Sequence, residues 1–130
     1  MVVDIGANAG AFALRAARVA RRVVAVEPVT TEILLENIRL NGAAVQVIRG
    51  ALGDGRAAKV HWDGGSAEVP TYTLRQIRAI AGGCDFLKCD CEGAEWGIDP
   101  AELSGILRIE MELHLPPISG RPDPALLDYI

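Results

Sequence analysis

Short apolar runs alternate with segments of helical spacing through the first fifty residues, and that rhythm predicts the fold class. Residues 1–5, Met-Val-Val-Asp-Ile, read as a buried strand ending at Gly6. Asn8 is placed to cap a helix over residues 9–20, with Phe12, Ala16 and Val19 along one face. Residues 23–26 are uniformly apolar, which predicts a second buried strand closing at Glu27-Pro28. Thr30 or Thr31 opens a second helix carrying Leu34 and Ile38, and Asn41-Gly42 stops it. Residues 45–48 supply a third strand. Strands alternating with helices imply right-handed crossovers and a mostly parallel sheet covered on both faces. The expected class is therefore α/β, with a Rossmann-like core.

The rhythm then changes. Gly53-Asp54-Gly55 turns the chain, residues 58–62 suit a strand, and Asp63-Gly64-Gly65 suits a hairpin turn into residues 67–69. Thr73 can cap a short helix to Ala81, closed by Gly82-Gly83. Residues 86–91 form the expected fourth strand, a helical turn at Glu102-Leu103 follows Pro100, and residues 107–115 form the fifth. That last run alternates: Leu107, Ile109, Met111, Leu113 and Leu115 face one way, and Arg108, Glu110, Glu112 and His114 the other. A central parallel strand is apolar on both faces. The alternation therefore fits an edge strand with an uncovered face, and equally a strand whose carboxyl end brings Glu112 and His114 to a polar pocket. No repeat, low-complexity tract or interdomain linker interrupts the chain, so residues 1–130 are read as one minimal domain.

Composition narrows the partners. The chain is 50% apolar with a net charge of −4 and lacks the basic field typical of nucleic-acid binders. Arg15, Arg18 and Arg22 would share a helix face beside Arg21, as a solvated surface or a phosphate-binding stripe. No apolar run reaches membrane-spanning length, and a strand beginning at Val2 leaves no room for a signal peptide. The expectation is a cytoplasmic protein with no membrane partner. Cys84, Cys89 and Cys91 are too few for a zinc site of the usual four ligands and are expected to be reduced core thiols. No metal is expected.

The chemistry concentrates in the first turn. Ligands of open α/β sheets sit beyond the carboxyl ends of the strands. Here that crevice holds Asp4-Ile5-Gly6-Ala7-Asn8-Ala9-Gly10. Dinucleotide sites use G-x-G-x-x-G, whereas Gly6 and Gly10 are spaced G-x-x-x-G, with an acid two residues before the first glycine. A carboxylate there suits a ligand with ammonium and sulfonium groups better than a pyrophosphate. S-adenosylmethionine carries both. Glu27, 17 residues past Gly10, can accept hydrogen bonds from ribose hydroxyls.

The run Asp85-Phe86-Leu87-Lys88-Cys89-Asp90-Cys91-Glu92-Gly93-Ala94-Glu95 resembles the signature of the FkbM-type methyltransferases: a lysine, an acid, then acid-glycine-alanine-acid. Further landmarks follow in order: Val3 through Gly10, Val26-Glu27-Pro28, Asn37-Ile38-Arg39-Leu40-Asn41, Ala51-Leu52-Gly53-Asp54, Tyr72-Thr73-Leu74, and Glu110 through His114. The pattern departs at Arg75, where the family usually has an aspartate, and at Cys89 and Cys91, where it has aliphatic residues. The resemblance implies a class I methyltransferase core, here truncated at both ends, and methyl transfer to a hydroxyl of a sugar, polyketide or related small metabolite. It implies that Asp4, Gly6, Ala7, Asn8 and Gly10 bind the methionine part of the cofactor, Glu27 and Pro28 the ribose, and Ala51 and Leu52 the adenine. Asp90 and Glu92 would face the sulfonium and the acceptor.

Catalysis needs an acceptor oxygen aligned with the methyl group and a base within reach of its proton. Asp90 or His114 is expected to be that base, with Glu92 orienting the acceptor; the Lys88, Asp90 and Glu92 cluster would otherwise only brace the loop. His61 is expected at the surface. Two other readings remain: a module that holds the cofactor without turnover and dimerises through the exposed edge of the fifth strand, and an RNA methyltransferase. The acidic balance and the lack of an Asn-Pro-Pro-type motif argue against the latter.

Overall fold

The computed structural model describes residues 1–117, 119 and 121–130. In chain order the elements are β1 (Val2–Ile5), α1 (Ala11–Ala16), β2 (Val23–Glu27), α2 (Thr31–Asn41), β3 (Val45–Arg49), β4 (Ala51–Leu52), β5 (Ala57–Trp62), β6 (Gly65–Tyr72), α3 (Leu74–Ala81), β7 (Phe86–Cys89), β8 (Arg108–Met111) and α4 (Pro124–Tyr129). Two 3-10 turns, Ala94–Gly97 and Pro100–Leu103, lie between β7 and β8. The main sheet has the order β3-β2-β1-β7-β8, and every pairing in it is parallel. The chain winds outward from β1 to β3, then returns to lay β7 on the other side of β1. The reversal puts a crevice at the carboxyl ends of β1 and β7.

The sheet is apolar on both faces because both are covered. Val3, Ile5, Val24, Val26 and Leu87 pack on one side against Leu74 and Ile77 of α3 and against Leu126 of α4. Val23 and Ala25 pack on the other against Ala7, Ala13 and Leu34. Each fully buried Val or Leu contributes about 1.5–3 kcal/mol relative to exposure. The expected α/β architecture, with a mostly parallel sheet between helices, is present. Among the described residues, no helix is long and apolar enough to cross a membrane.

Several boundaries differ from expectation for local reasons. α1 has six residues rather than twelve, and its N-cap is Gly10, not Asn8. Asn8 itself has φ +50° within a turn that also needs positive φ at Gly6 and Gly10, so helical geometry starts only after Gly10. At the other end Arg18 and Val19 donate to Arg15 and Ala16, which tightens the chain into a turn and leaves Val19 90% exposed. The arginine face of this region is exposed. β7 stops at Cys89, because Glu92 (φ +56°) and Gly93 (φ +102°) bend the chain away from the sheet.

β8 also ends early. The Glu112 N–H still bonds the Cys89 carbonyl at 2.9 Å, but the His114 N–H goes to the Glu95 carboxylate instead of a strand. The outer members of the expected apolar row, Leu107 and Leu115, are exposed, while Ile109, Met111 and Leu113 pack against the core. β8 is the edge of the sheet and exposes Arg108 and Glu110.

The hairpin of β5 and β6 closes at Asp63-Gly64, as the sequence predicts, and β4 adds to the far end of β6 in a separate small sheet. His61 is exposed on it. Thr73 and Gln76 form a reciprocal capping box at the start of α3, and Gly82 ends that helix in a left-handed conformation. α4 was not anticipated; Asp123 caps it by accepting from the Ala125 N–H, and Leu126 is fully buried.

Candidate functional site

The turn after β1 is shaped by its neighbours. The N–H groups of Gly6 and Ala7 both donate to the Val26 carbonyl, at 3.0 and 3.1 Å, which ties the turn to β2. A Cβ on Gly6 would stand 1.7 Å from the Asp90 carbonyl oxygen, so only glycine lets β1 and β7 converge here. Asn37 of α2 donates to the Ala9 carbonyl at 2.8 Å, and Thr30 to the Asn8 side chain at 3.4 Å. Asn37 falls in a motif noted in the sequence, but its role as a clamp on the turn was missed.

Glu27, at the end of β2, is only 6% exposed. Its carboxylate accepts from the N–H groups of Asn8 (2.9 Å), Val29 (2.7 Å) and Thr30 (2.9 Å). It therefore organises the glycine turn and the chain leaving β2. Pro28 is half-buried beside it. The Gly50 N–H donates to the Glu27 carbonyl at 3.3 Å, which brings Ala51 to the same end of the sheet. Leu52 turns into the core, so of that pair the half-buried Ala51 is the more open.

Lys88 links the two halves of the site. Its ammonium lies 3.3 Å from the Gly6 carbonyl, 3.5 Å from Asp4 and 3.4 Å from Asp90. Asp4 is fully buried and paired with Lys88, and among the described residues neither of its carboxylate oxygens accepts a direct hydrogen bond. Burial pushes its carboxyl up to about 6, against the opposing pull of Lys88. Asp4 thus stands behind Lys88, while Asp90, 35% exposed at the side chain, stands in front of it.

The acidic mouth continues through Glu92, Glu95, Glu112 and His114. Glu95 is fully buried and accepts from the Gly93 N–H, the His114 N–H and the His114 ring Nδ1, at 2.9, 2.7 and 3.0 Å. Burial alone would raise Glu95, but the hydrogen bonds from His114 hold it below the ordinary glutamate value. The ring's Nε2 points among Glu92 (3.4 Å), Asp90 (3.8 Å) and Glu112 (3.8 Å). Burial would lower His114, but the Glu95 hydrogen bond and the carboxylates of Glu95, Glu92 and Glu112 raise it above the ordinary histidine value. The Trp96 indole donates to the His114 carbonyl at 2.6 Å and fixes the backbone there.

The structure thus joins Asp90, Glu92 and His114, as the sequence predicts, and parts Glu112 from His114 in burial: Glu112 stays 67% exposed at the side chain, and His114 turns inward. Glu95, quoted in the sequence motif but given no role, orients the histidine. One ligand atom each from Asp90, Glu92 and His114 lie within 4.8 Å of one another. The Cys91 sulfur lies 3.4 Å from the Glu95 carboxylate behind this group. All three cysteines are free; Cys89 and Cys91 have sulfurs 3.5 Å apart, and burial raises the Cys84 thiol to about 11.

Among the described residues, Lys88 and His114 are the cations paired with Asp4, Asp90, Glu92, Glu95 and Glu112, so this end of the sheet favours a cationic ligand. A family model described as the methyltransferase FkbM domain matches residues 4–119. No curated protein and no solved structure matches the chain.

Proposed function

The chain belongs to the FkbM methyltransferase family, and from that premise we propose that it moves a methyl group from S-adenosylmethionine to a hydroxyl of a small metabolite such as a sugar or polyketide. The observation that carries this reading is the partly exposed Asp90 carboxylate, held by Lys88 beside the glycine turn, in a mouth where acids outnumber bases.

The donor set fits a cofactor with an ammonium and a sulfonium. Asp4 is a buried acid paired with Lys88 at 3.5 Å, and a further positive group nearby would stabilise its charged form. A pyrophosphate would meet Asp90 and Glu92 instead, which disfavours a nicotinamide dinucleotide. When bound, the cofactor supplies an electrophilic methyl group on sulfur. Gly6, Ala7, Asn8 and Gly10 would hold its amino-acid end. The turn braced by Glu27 and Pro28 would lie along its ribose, with Ala51 and Leu52 on the adenine side.

The acceptor enters over Glu92 and Glu112, whose side chains are 77% and 67% exposed. Those carboxylates can orient a neutral polyol by accepting its hydroxyls, and they repel a phosphate backbone, which argues against RNA. Asp90 is the base we favour, because its carboxylate is partly exposed and is held by Lys88 beside the glycine turn. His114 stands beside Asp90, its Nε2 3.8 Å away, and Glu92 positions the acceptor.

The test is transfer of labelled methyl from S-adenosylmethionine to a panel of hydroxylated acceptors. Asp90→Asn should lower kcat at least a hundredfold. Label transfer at the parent rate in that variant would remove Asp90 from the chemistry.

A further inference from the structure

The His114 ring is more than nine-tenths buried, yet its Nε2 makes no hydrogen bond among the described residues. The other ring nitrogen is engaged by Glu95, which is itself fully buried and held by the Gly93 N–H. In the neutral imidazole, a carboxylate that accepts from Nδ1–H leaves the Nε2 lone pair free and fixes its direction, as in histidines that bind metals. Here that direction is into a group of carboxylates on two different segments: Asp90 and Glu92 after β7, and Glu112 after β8.

We propose that Asp90, Glu92 and His114 bind one divalent cation at the carboxyl end of the sheet, with Glu95 as the positioning residue for the imidazole. Donor atoms about 2.1 Å from a common centre lie about 3.0 to 3.4 Å apart as neighbours and about 4.2 Å apart when opposite. The Nε2 to Glu92 separation of 3.4 Å already fits, and the 3.8 Å to Asp90 and the 4.8 Å limit over the trio need only small side-chain closure. Glu92 is exposed enough to make that movement, and Glu112 stands close enough to join as a fourth ligand. An imidazole among oxygens favours Mn2+, Fe2+ or Zn2+ over Mg2+ and Ca2+.

A cation held here would leave coordination positions open toward the exposed side, where an acceptor hydroxyl could bind and lose its proton more readily to solvent water. Asp90 and His114 would then act by holding the cation. This catalytic use rests on the methyl-transfer reading, whereas cation binding does not.

The experiment is titration of the chelator-treated full chain with Mn2+, without cofactor, following free cation by electron paramagnetic resonance. One bound Mn2+ per chain is expected. Glu92→Gln, at an exposed position that should fold normally, and Asp90→Asn should each weaken binding at least tenfold, while Glu110→Gln should not. No binding by the parent at millimolar Mn2+, several weak equivalent sites, or the parent's affinity retained in both variants would overturn the site. If Mn2+ binds as expected but S-adenosylmethionine does not, the methyl-transfer reading fails and the cation site stands.

Discussion

One oxygen of the buried Glu95 carboxylate accepts both the backbone N–H of His114, at 2.7 Å, and its ring Nδ1, at 3.0 Å. That double contact ends β8, turns the histidine inward and sets which ring nitrogen faces Asp90 and Glu92. A single side chain thus converts a strand terminus into a corner of the site.

Glu95→Gln tests that link. The amide keeps the size of the carboxylate but loses its charge, and it cannot accept on both oxygens from His114 and Gly93. We expect a loss of about 2 kcal/mol in stability, and about 3–5 kcal/mol for Glu95→Ala, which leaves buried donors unpaired. Denaturant unfolding gives both values; a loss below half a kilocalorie in each would show that Glu95 does not hold the corner.

Gly6 and Gly64 both have positive φ, +75° and +105°, but differ in what surrounds them. A Cβ at Gly6 would overlap the Asp90 carbonyl, and at Gly64 nothing lies within 4 Å. Gly64→Ala should therefore cost only about 1–2 kcal/mol of backbone strain. Gly6→Ala should cost more than that, because β1 and β7 must separate. Thermal melts of the two variants side by side decide it, and equal losses would contradict the close approach.

Asp4 makes stability depend on pH. Its carboxyl is raised from 3.8 to about 6 by burial, opposed by Lys88, so the folded chain holds that proton more tightly than the unfolded chain. The stabilisation is complete below about pH 4 and is lost as pH rises through 6. The full span is about 3 kcal/mol. Asp4→Asn should flatten the decline between pH 4 and 7, as read by unfolding curves at each pH. An unchanged slope would mean that Asp4 does not carry it.

Much of this was legible in the sequence where local signals and burial agree. The apolar runs at residues 1–5 and 23–26, the Asp63-Gly64-Gly65 turn and the Thr73 cap all predict elements that form, within a residue or so at their ends. The errors fall where tertiary contacts override pattern. Helical spacing continued through Val19, but the turn at Gly10 delayed the helix and Val19 had nothing to pack against. The alternation from Leu107 to Leu115 suggested a long strand, but Glu95 captured the His114 N–H. α4 was missed although Asp123-Pro124 is an N-cap followed by proline at the first helical position. The acids of the site were visible as a motif; the coupling of Glu95 to His114 was not, because they are 19 residues apart and meet only when β8 is laid beside β7.

On the proposed function, the acid-lined turn binds a sulfonium-bearing amino-acid nucleoside. Isothermal titration calorimetry of the parent and Asp90→Asn with S-adenosylmethionine, and of the parent with NAD, tests it most directly. We predict one S-adenosylmethionine site, at least tenfold weaker in the variant, and no binding of NAD. Absence of S-adenosylmethionine binding, equal affinity in parent and variant, or preference for NAD would contradict the account.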